Sequence, residues 1–246
     1  MTKTTETGHA KNLANFDELV SFVSAYGTDY KPTKASISLP ALHKLSADSR
    51  KALSEVNPLL PAWVNATTSR EIAFAPLNKL ITRVINGLKA IDTHSQVDDN
   101  AKTLARKIQG IRASAKLTDE EKLALVSEGT EVKQISSSQM GFDNRLENFD
   151  KLIKLLASIP LYAPNEKELK VSSLQELYAD LMSKNTEVID AATPLSNARL
   201  HRDLVMYKTD TGLVDSAVAV KAYVKSLYGA TSPKFKQISK LRIRLA

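Results

Sequence analysis

The sequence predicts an all-α protein: an elongated helical bundle made of two tandem copies of a multi-helix unit joined by a long connector helix. Three observations lead there, and they come from internal repetition, which decides topology before any element is assigned. Asn15–Val23 (NFDELVSFV) returns as Asn148–Leu156 (NFDKLIKLL). A shift of 133 positions lays Leu13, Phe16, Val20 and Val23 over Leu146, Phe149, Ile153 and Leu156. Steps of three, four and three are those of a helix with one buried face. Next, a shift of 132 aligns Tyr30–Phe74 with Tyr162–Met206 without a gap and matches eleven of 45 positions, where ordinary composition gives roughly three. Tyr30/Tyr162, Pro32/Pro164, Asn65/Asn197 and Arg70/Arg202 are among the identities. Finally, a four-residue insertion around Thr209–Gly212 brings Leu77, Ile81, Val84, Leu88 and Ile91 over Leu213, Ala217, Val220, Val224 and Leu227.

Taken in order, residues 1–9 are polar and aperiodic and read as a flexible tail. Unit 1 spans 10–113. Its first helix runs from about Ala10 to Tyr26 and stops at Gly27. Thr33 is a capping residue for the second helix, and its counterpart Asn165 has Glu168 three positions on, the capping-box arrangement. Pro58 and Pro61, with Pro194 in the second copy, predict a kink or break where the second helix ends. Helices over Ala62–Phe74 and Leu77–Ile91 come next, matched by Leu195–Tyr207 and Leu213–Tyr228, the last ended by Gly229. Asp98 to about Ala113 is expected to be helical, with Leu104, Ile108 and Ile111 along one side.

The connector, 114–145, has no duplicate. Thr118 with Glu121 opens a helix there that can run through Phe142 and Leu146 straight into unit 2, which spans 146–246. The final segment starts well, with Ser232 at the N-cap and Pro233 at the first helical position. Phe235, Ile238, Leu241 and Leu245 offer its buried stripe, although Leu241–Leu245 (LRIRL) alternates as a strand does. The expectation is a helix with a frayed end.

Composition sets bounds. At 246 residues, with 43% hydrophobic and 25% charged residues, the chain can bury a sizeable core without staples. Cysteine is absent, which excludes disulfides, thiolate metal sites and cysteine nucleophiles. The opening MTKTTETGHAKN has no apolar core of a secretory signal, and no run of eighteen apolar residues occurs; a cytoplasmic protein is the expectation. Net charge is +7, but Lys102, Arg106, Lys107, Arg112 and Lys116, with Lys234, Lys236, Lys240, Arg242 and Arg244, carry ten positive charges between them. The remainder is therefore acidic. These two acid-free stretches each close a unit.

Chemistry-bearing patterns are weak. Glu6 with His9 has Glu-x-x-His spacing, but a di-iron bundle needs two such pairs on facing helices. His43, His94 and His201 are scattered. The eight glycines form no phosphate-cradling loop, and no nucleophile elbow occurs. Glu187 and Asp190 share a helix face, but copy one has no equivalent pair, so a solvated acidic face accounts for them. No catalytic, cofactor-binding or metal residue is assigned, and no cofactor is expected. Asn65, Arg70, Asn197 and Arg202 are matched polar positions that form a candidate symmetric cluster, with ion pairing that fixes helix register as its first role and a ligand or partner site as its second.

The function expected from all this is a non-enzymatic structural or protein-interaction scaffold, one that self-assembles or binds another protein. The alternative is a nucleic-acid-associated protein working through the basic stretches 102–116 and 234–244, because clustered cations release counterions from a phosphate backbone. A membrane is not the expected partner, since the chain lacks a long apolar hairpin to insert.

Overall fold

The computed structural model describes residues 8–111 and 140–245, and these are helical with no strand among them. The helices are α1 (His9–Ala25), α2 (Leu39–Val56), α3 (Leu59–Phe74), α4 (Leu77–Lys89), α5 (Ser95–Gln109), α6 (Phe142–Ala157), α7 (Val171–Tyr207), α8 (Leu213–Tyr228) and α9 (Pro233–Ser239). They form two compact units: Asn65–Asp190 is the middle unit, and Met1–Val64 with Ala191–Ala246 is the terminal unit. These cut across the sequence intervals 10–113 and 146–246, each taking helices from both.

In the middle unit α4, α5, α6 and the start of α7 enclose one core, built on Phe74, Leu77, Ile81, Ile108, Phe149, Leu152, Leu156 and Leu174. In the terminal unit α1, α2, α8 and α9 enclose another, built on Phe16, Leu19, Val23, Leu42, Met206, Leu213, Val220 and Ile238. Helix α1 buries Asn12, Leu13, Asn15, Phe16, Leu19, Val20 and Val23. Helix α6 buries Arg145, Leu146, Asn148, Phe149, Leu152, Ile153 and Leu156. Each position of the second series stands 133 after its counterpart in the first.

The capping expectation is corrected. Neither Thr33 nor Asn165 starts a helix; a 3-10 turn intervenes in both places, at Ala35–Ile37 and Lys167–Leu169, and the helices begin at Leu39 and Val171. The cause is a buried tyrosine. Tyr30 Oη donates to the Ile37 carbonyl at 2.7 Å, and Tyr162 Oη donates to the Leu169 carbonyl at 3.0 Å. Tyr30, Ile37, Tyr162 and Leu169 are all buried. Sinking ring and aliphatic chain into one core obliges the segment between them to double back, and the hydroxyl satisfies a carbonyl that would otherwise be orphaned. Burial pushes the Tyr162 hydroxyl up to about 12, with Glu166 adding to the effect, and pushes Tyr30 up further.

This latch has an alkaline signature. Both folded values lie above the free phenol near about 10, so the stabilisation is intact below that pH and is lost as pH climbs through the folded values. In an ultraviolet difference titration Tyr30 and Tyr162 are expected to ionise only together with loss of helix. Tyr30→Phe and Tyr162→Phe should each remove their share of that late phase and cost about 1 kcal/mol in chemical denaturation. Early, independent ionisation of both would refute the latch.

Proline acts differently at its two sites. Asn57 and Pro58 form a turn that separates α2 from α3, as expected, whereas Pro61 sits harmlessly in the first turn of α3. Pro194 lies inside α7, which is unbroken over 37 residues. Proline there removes only the bond to the Asp190 carbonyl, and Leu195, 2% exposed, anchors the turn beyond it. The insertion around Thr209–Gly212 falls in the α7–α8 loop, where Asp210 takes a left-handed φ of 65°. A Cβ on Gly212 would lie 2.6 Å from the Lys208 backbone nitrogen, so only glycine fits that turn.

Two other boundaries differ from expectation. Gly110, with φ 69°, ends α5, so Ile111 lies beyond the helix and is 55% exposed. Helix α6 starts at Phe142 after non-helical Met140 and Gly141, so no uninterrupted helix runs from the connector into Leu146; residues 112–139 lie outside the described ones. Helix α9 stops at Ser239; Lys240 keeps helical backbone and 241–245 has no regular secondary structure, with Leu241 buried and Arg242 and Arg244 exposed.

Candidate functional site

The polar residues with the most developed surroundings lie inside each unit, at the turn that opens α6 or α1. In the middle unit the Arg70 guanidinium sits 3.9 Å from the Phe142 ring centroid and donates to Asn185 Oδ1 at 3.0 Å. Asn185 is buried and passes the interaction on, its Nδ2 donating to Asp143 Oδ1 at 2.6 Å. Arg70 Nε has no hydrogen-bond partner, which fits a guanidinium stacked flat on a ring. Phe142 meets Phe74 edge-on at 4.8 Å. Arg145, 9% exposed, lies 5.2 Å from the Phe74 ring and donates through Nε to the Ile108 carbonyl and through Nη2 to Asn78 Oδ1. Burial lowers its pKa, yet an arginine stays charged throughout the physiological range. Apart from Arg70 Nε, these polar groups bond to one another and to the backbone, and so they fix where α3, α4, α5 and α6 meet.

In the terminal unit the counterpart of Arg70 in sequence, 132 positions on, is Arg202. His9, which stands 133 positions before Phe142, packs its ring 5.7 Å from Tyr207 and hydrogen-bonds the Tyr207 hydroxyl at 2.7 Å. Burial lowers the His9 pKa, Arg202 lowers it further and Asp203 opposes both. Arg202 itself pairs with Asp203 at 2.8 Å. Asn65 and Arg70 thus fall in the middle unit and Asn197 and Arg202 in the terminal one. Asn65 and Asn197 are both exposed.

Comparison with protein-family models, curated proteins and solved structures finds no match.

The second basic stretch, apart from Lys236 and Lys240, serves the terminal unit's own packing. Lys234 Nζ lies 4.2 Å from the Tyr228 ring, within reach of the Tyr228 hydroxyl at 3.1 Å and Asp29 at 3.4 Å. Those bonds hold Lys234 above and Asp29 below their usual ranges. Arg242 and Arg244 are gripped by their backbones. Asn15 Nδ2 donates to the Arg242 carbonyl, while Asn12 both donates to the Arg244 carbonyl and accepts from its N–H. Two asparagines one helical turn apart therefore hold the backbone of LRIRL beyond the end of α9. Lys236 and Lys240 are exposed. In the first stretch Lys102 and Arg106 are half-buried on α5 and Lys107 is exposed; Arg112 and Lys116 lie outside the described residues.

The remaining candidates are dispersed. Glu6 lies outside the described residues; His43 faces Ser24, and His201 pairs with Glu55 at 3.3 Å. His94 precedes α5. Lys184 neutralises Glu187 at 2.8 Å. Among the described residues no group of three His, Asp or Glu could hold a metal ion. None of their helices is long and apolar enough to cross a membrane.

Arg145, Asn12, Asn15 and the tyrosine latch were not singled out by sequence. The tyrosines had a signal, since Tyr30 and Tyr162 are identities of the 132 shift. Arg145 had none, because its counterpart is Asn12.

Proposed function

We propose that this chain is a non-enzymatic helical scaffold, descended from a duplicated multi-helix unit, that acts by presenting two similar bodies to further copies of itself. The observation that carries the reading is the coincidence, at one shift, of all seven buried positions of α1 with all seven of α6. The doubled tyrosine latch supports it. On this reading the two copies have exchanged halves. The terminal unit joins the first half of copy one to the second half of copy two, and the middle unit does the converse.

An outward-facing contact is supported by the residue two positions after each matched arginine. Ile72 in the middle unit is 69% exposed and Leu204 in the terminal unit is 57% exposed. Large aliphatic side chains held outward at equivalent positions suit a contact surface better than a solvated one. Light scattering coupled to size exclusion tests this. Assemblies well above the 27.0 kDa chain are expected to persist at high salt, because apolar contacts are unscreened, and Ile72→Lys with Leu204→Lys should return them to monomer. A monomer at both low and high salt would overturn the self-assembly reading.

A further inference from the structure

We propose that the groove between α4 and α5 is a binding site for a phosphate group carried by a nucleic-acid strand or a free polyphosphate. The groove holds about 290 Å³ and is lined by Thr82, Ile85, Asn86, Lys89, Lys102, Ala105, Arg106 and Gln109. Its chemistry is one-sided. Lys89, Lys102 and Arg106 converge on it and no carboxylate lines it. Ile85 and Ala105 are buried beneath, and the small side chain of Ala105 leaves the space open.

The neutral groups at one end of the groove are tied to one another, which leaves the ligand to the cations. Gln109 Nε2 reaches the Asn78 carbonyl and Thr82 Oγ1, each at 2.9 Å, which closes one end and holds the Thr82 hydroxyl in place. Arg106 donates to Thr103 Oγ1 at 3.2 Å. Lys102 pairs with Asp99 at 2.9 Å. That pair is exposed and therefore weak, so it is readily exchanged for a ligand. Three cations, with the Asn86 amide among the lining groups, form an oxyanion site, and the volume accommodates a phosphoryl group with the sugar it is esterified to.

A second observation comes from the other unit. Lys225 and Arg242 stand 136 positions after Lys89 and Arg106, the same register that carries Leu77 to Leu213. The backbone agrees there. Arg145 on α6 donates to the Ile108 carbonyl, and Asn12 on α1, 133 positions before Arg145, donates to the Arg244 carbonyl, 136 positions after Ile108. The basic pair thus recurs in a register fixed by independent hydrogen bonds. This recurrence draws on the proposed duplication, whereas the groove itself stands without it and without self-assembly.

Fluorescence anisotropy with the full chain and a labelled oligothymidylate strand is the test, with unlabelled tripolyphosphate as competitor. Strand binding at low salt is expected, weakening with a log–log salt slope of about −2, as three neutralised phosphates predict for single strands. Lys89→Gln, Lys102→Gln and Arg106→Gln together should weaken it at least about tenfold and flatten the slope. Lys236→Gln with Lys240→Gln, exposed cations elsewhere, should change neither. A circular dichroism melt that matches the unsubstituted protein establishes that the triple variant is folded. Strand binding that tripolyphosphate displaces assigns the groove to a nucleic-acid backbone. Tripolyphosphate binding without strand binding, lost in the triple variant, assigns it to free phosphates. Failure of both to bind the unsubstituted protein, or equal binding by the triple variant, overturns the site, and neither result bears on the oligomeric state read by light scattering.

Discussion

Replacing Phe16 or Phe149 with alanine is expected to cost about 3–5 kcal/mol each, a large share of the about 5–15 kcal/mol that holds a domain folded. Both rings have 0% exposure and sit at the same point of the buried stripe, on α1 and α6 respectively. Removing either leaves a cavity that close-packed Leu and Val neighbours fill only partly. The cores they belong to share no residue, so the two costs should add in the double variant.

Where the damage appears matters as much as its size. Phe16→Ala should speed native-state amide exchange in α1, α2, α8 and α9, the helices of the terminal core, and leave α4, α5 and α6 protected. Phe149→Ala should do the reverse. In the Phe16 variant α4 and α5, which follow α2 in sequence, are therefore spared, while α8 and α9, about 200 residues away, loosen, which is the signature of a unit built from both ends of a chain. Equal loosening of α4 and α8 in the Phe16 variant would contradict it.

Much of this was legible in the residues alone, and what was not has physical causes. A three-four-three series states that one face of a helix is buried, so the interiors of α1, α4, α6 and α8 came from spacing alone. The same series says nothing about what covers that face. Leu77 to Leu88 would look alike packed on α1 or on α6, and tandem order suggested the former. The cap of α9 was legible because Ser232 and Pro233 act locally, and the Ser232 hydroxyl indeed accepts from the Phe235 N–H.

Local rules failed where a tertiary contact outweighed them. Thr33 is a sound cap, but burying Tyr30 with Ile37 postpones the helix to Leu39. Pro194 is a sound breaker, but α7 is packed on both sides of it. The helix with a frayed end expected from Ser232 onward is what forms, but the side-chain amides of α1 that hold the frayed residues are revealed by no spacing. The basic stretches were visible as charge, while the division of labour within them was not. Lys234 is spent on Tyr26, Tyr228 and Asp29, whereas Lys102 and Arg106 line an open groove, and only the neighbouring helix α4 with Lys89 makes that difference.

Producing residues 1–113 and 114–246 as two separate chains is the second experiment with a large expected effect. The first fragment carries α1, α2, α4 and α5, and the second carries α6 to α9. Neither contains a complete core. Helices α1 and α2 close on Met206, Leu213, Val220 and Ile238 of the second fragment, and α4 and α5 close on Leu146, Phe149, Leu152 and Leu156. Each fragment alone therefore exposes the faces that the intact chain hides, and burying a Leu or Phe side chain is worth about 1.5–3 kcal/mol. Co-expressed, the fragments should leave size exclusion as a 1:1 complex, and a tag on one should retain the other at high salt, because the contacts are apolar and unscreened. Expressed singly, each should be insoluble or self-associated. Two freely soluble, helical, monomeric fragments with no affinity for each other would mean that each half completes its own core, and the division of the chain into a terminal and a middle unit would be wrong.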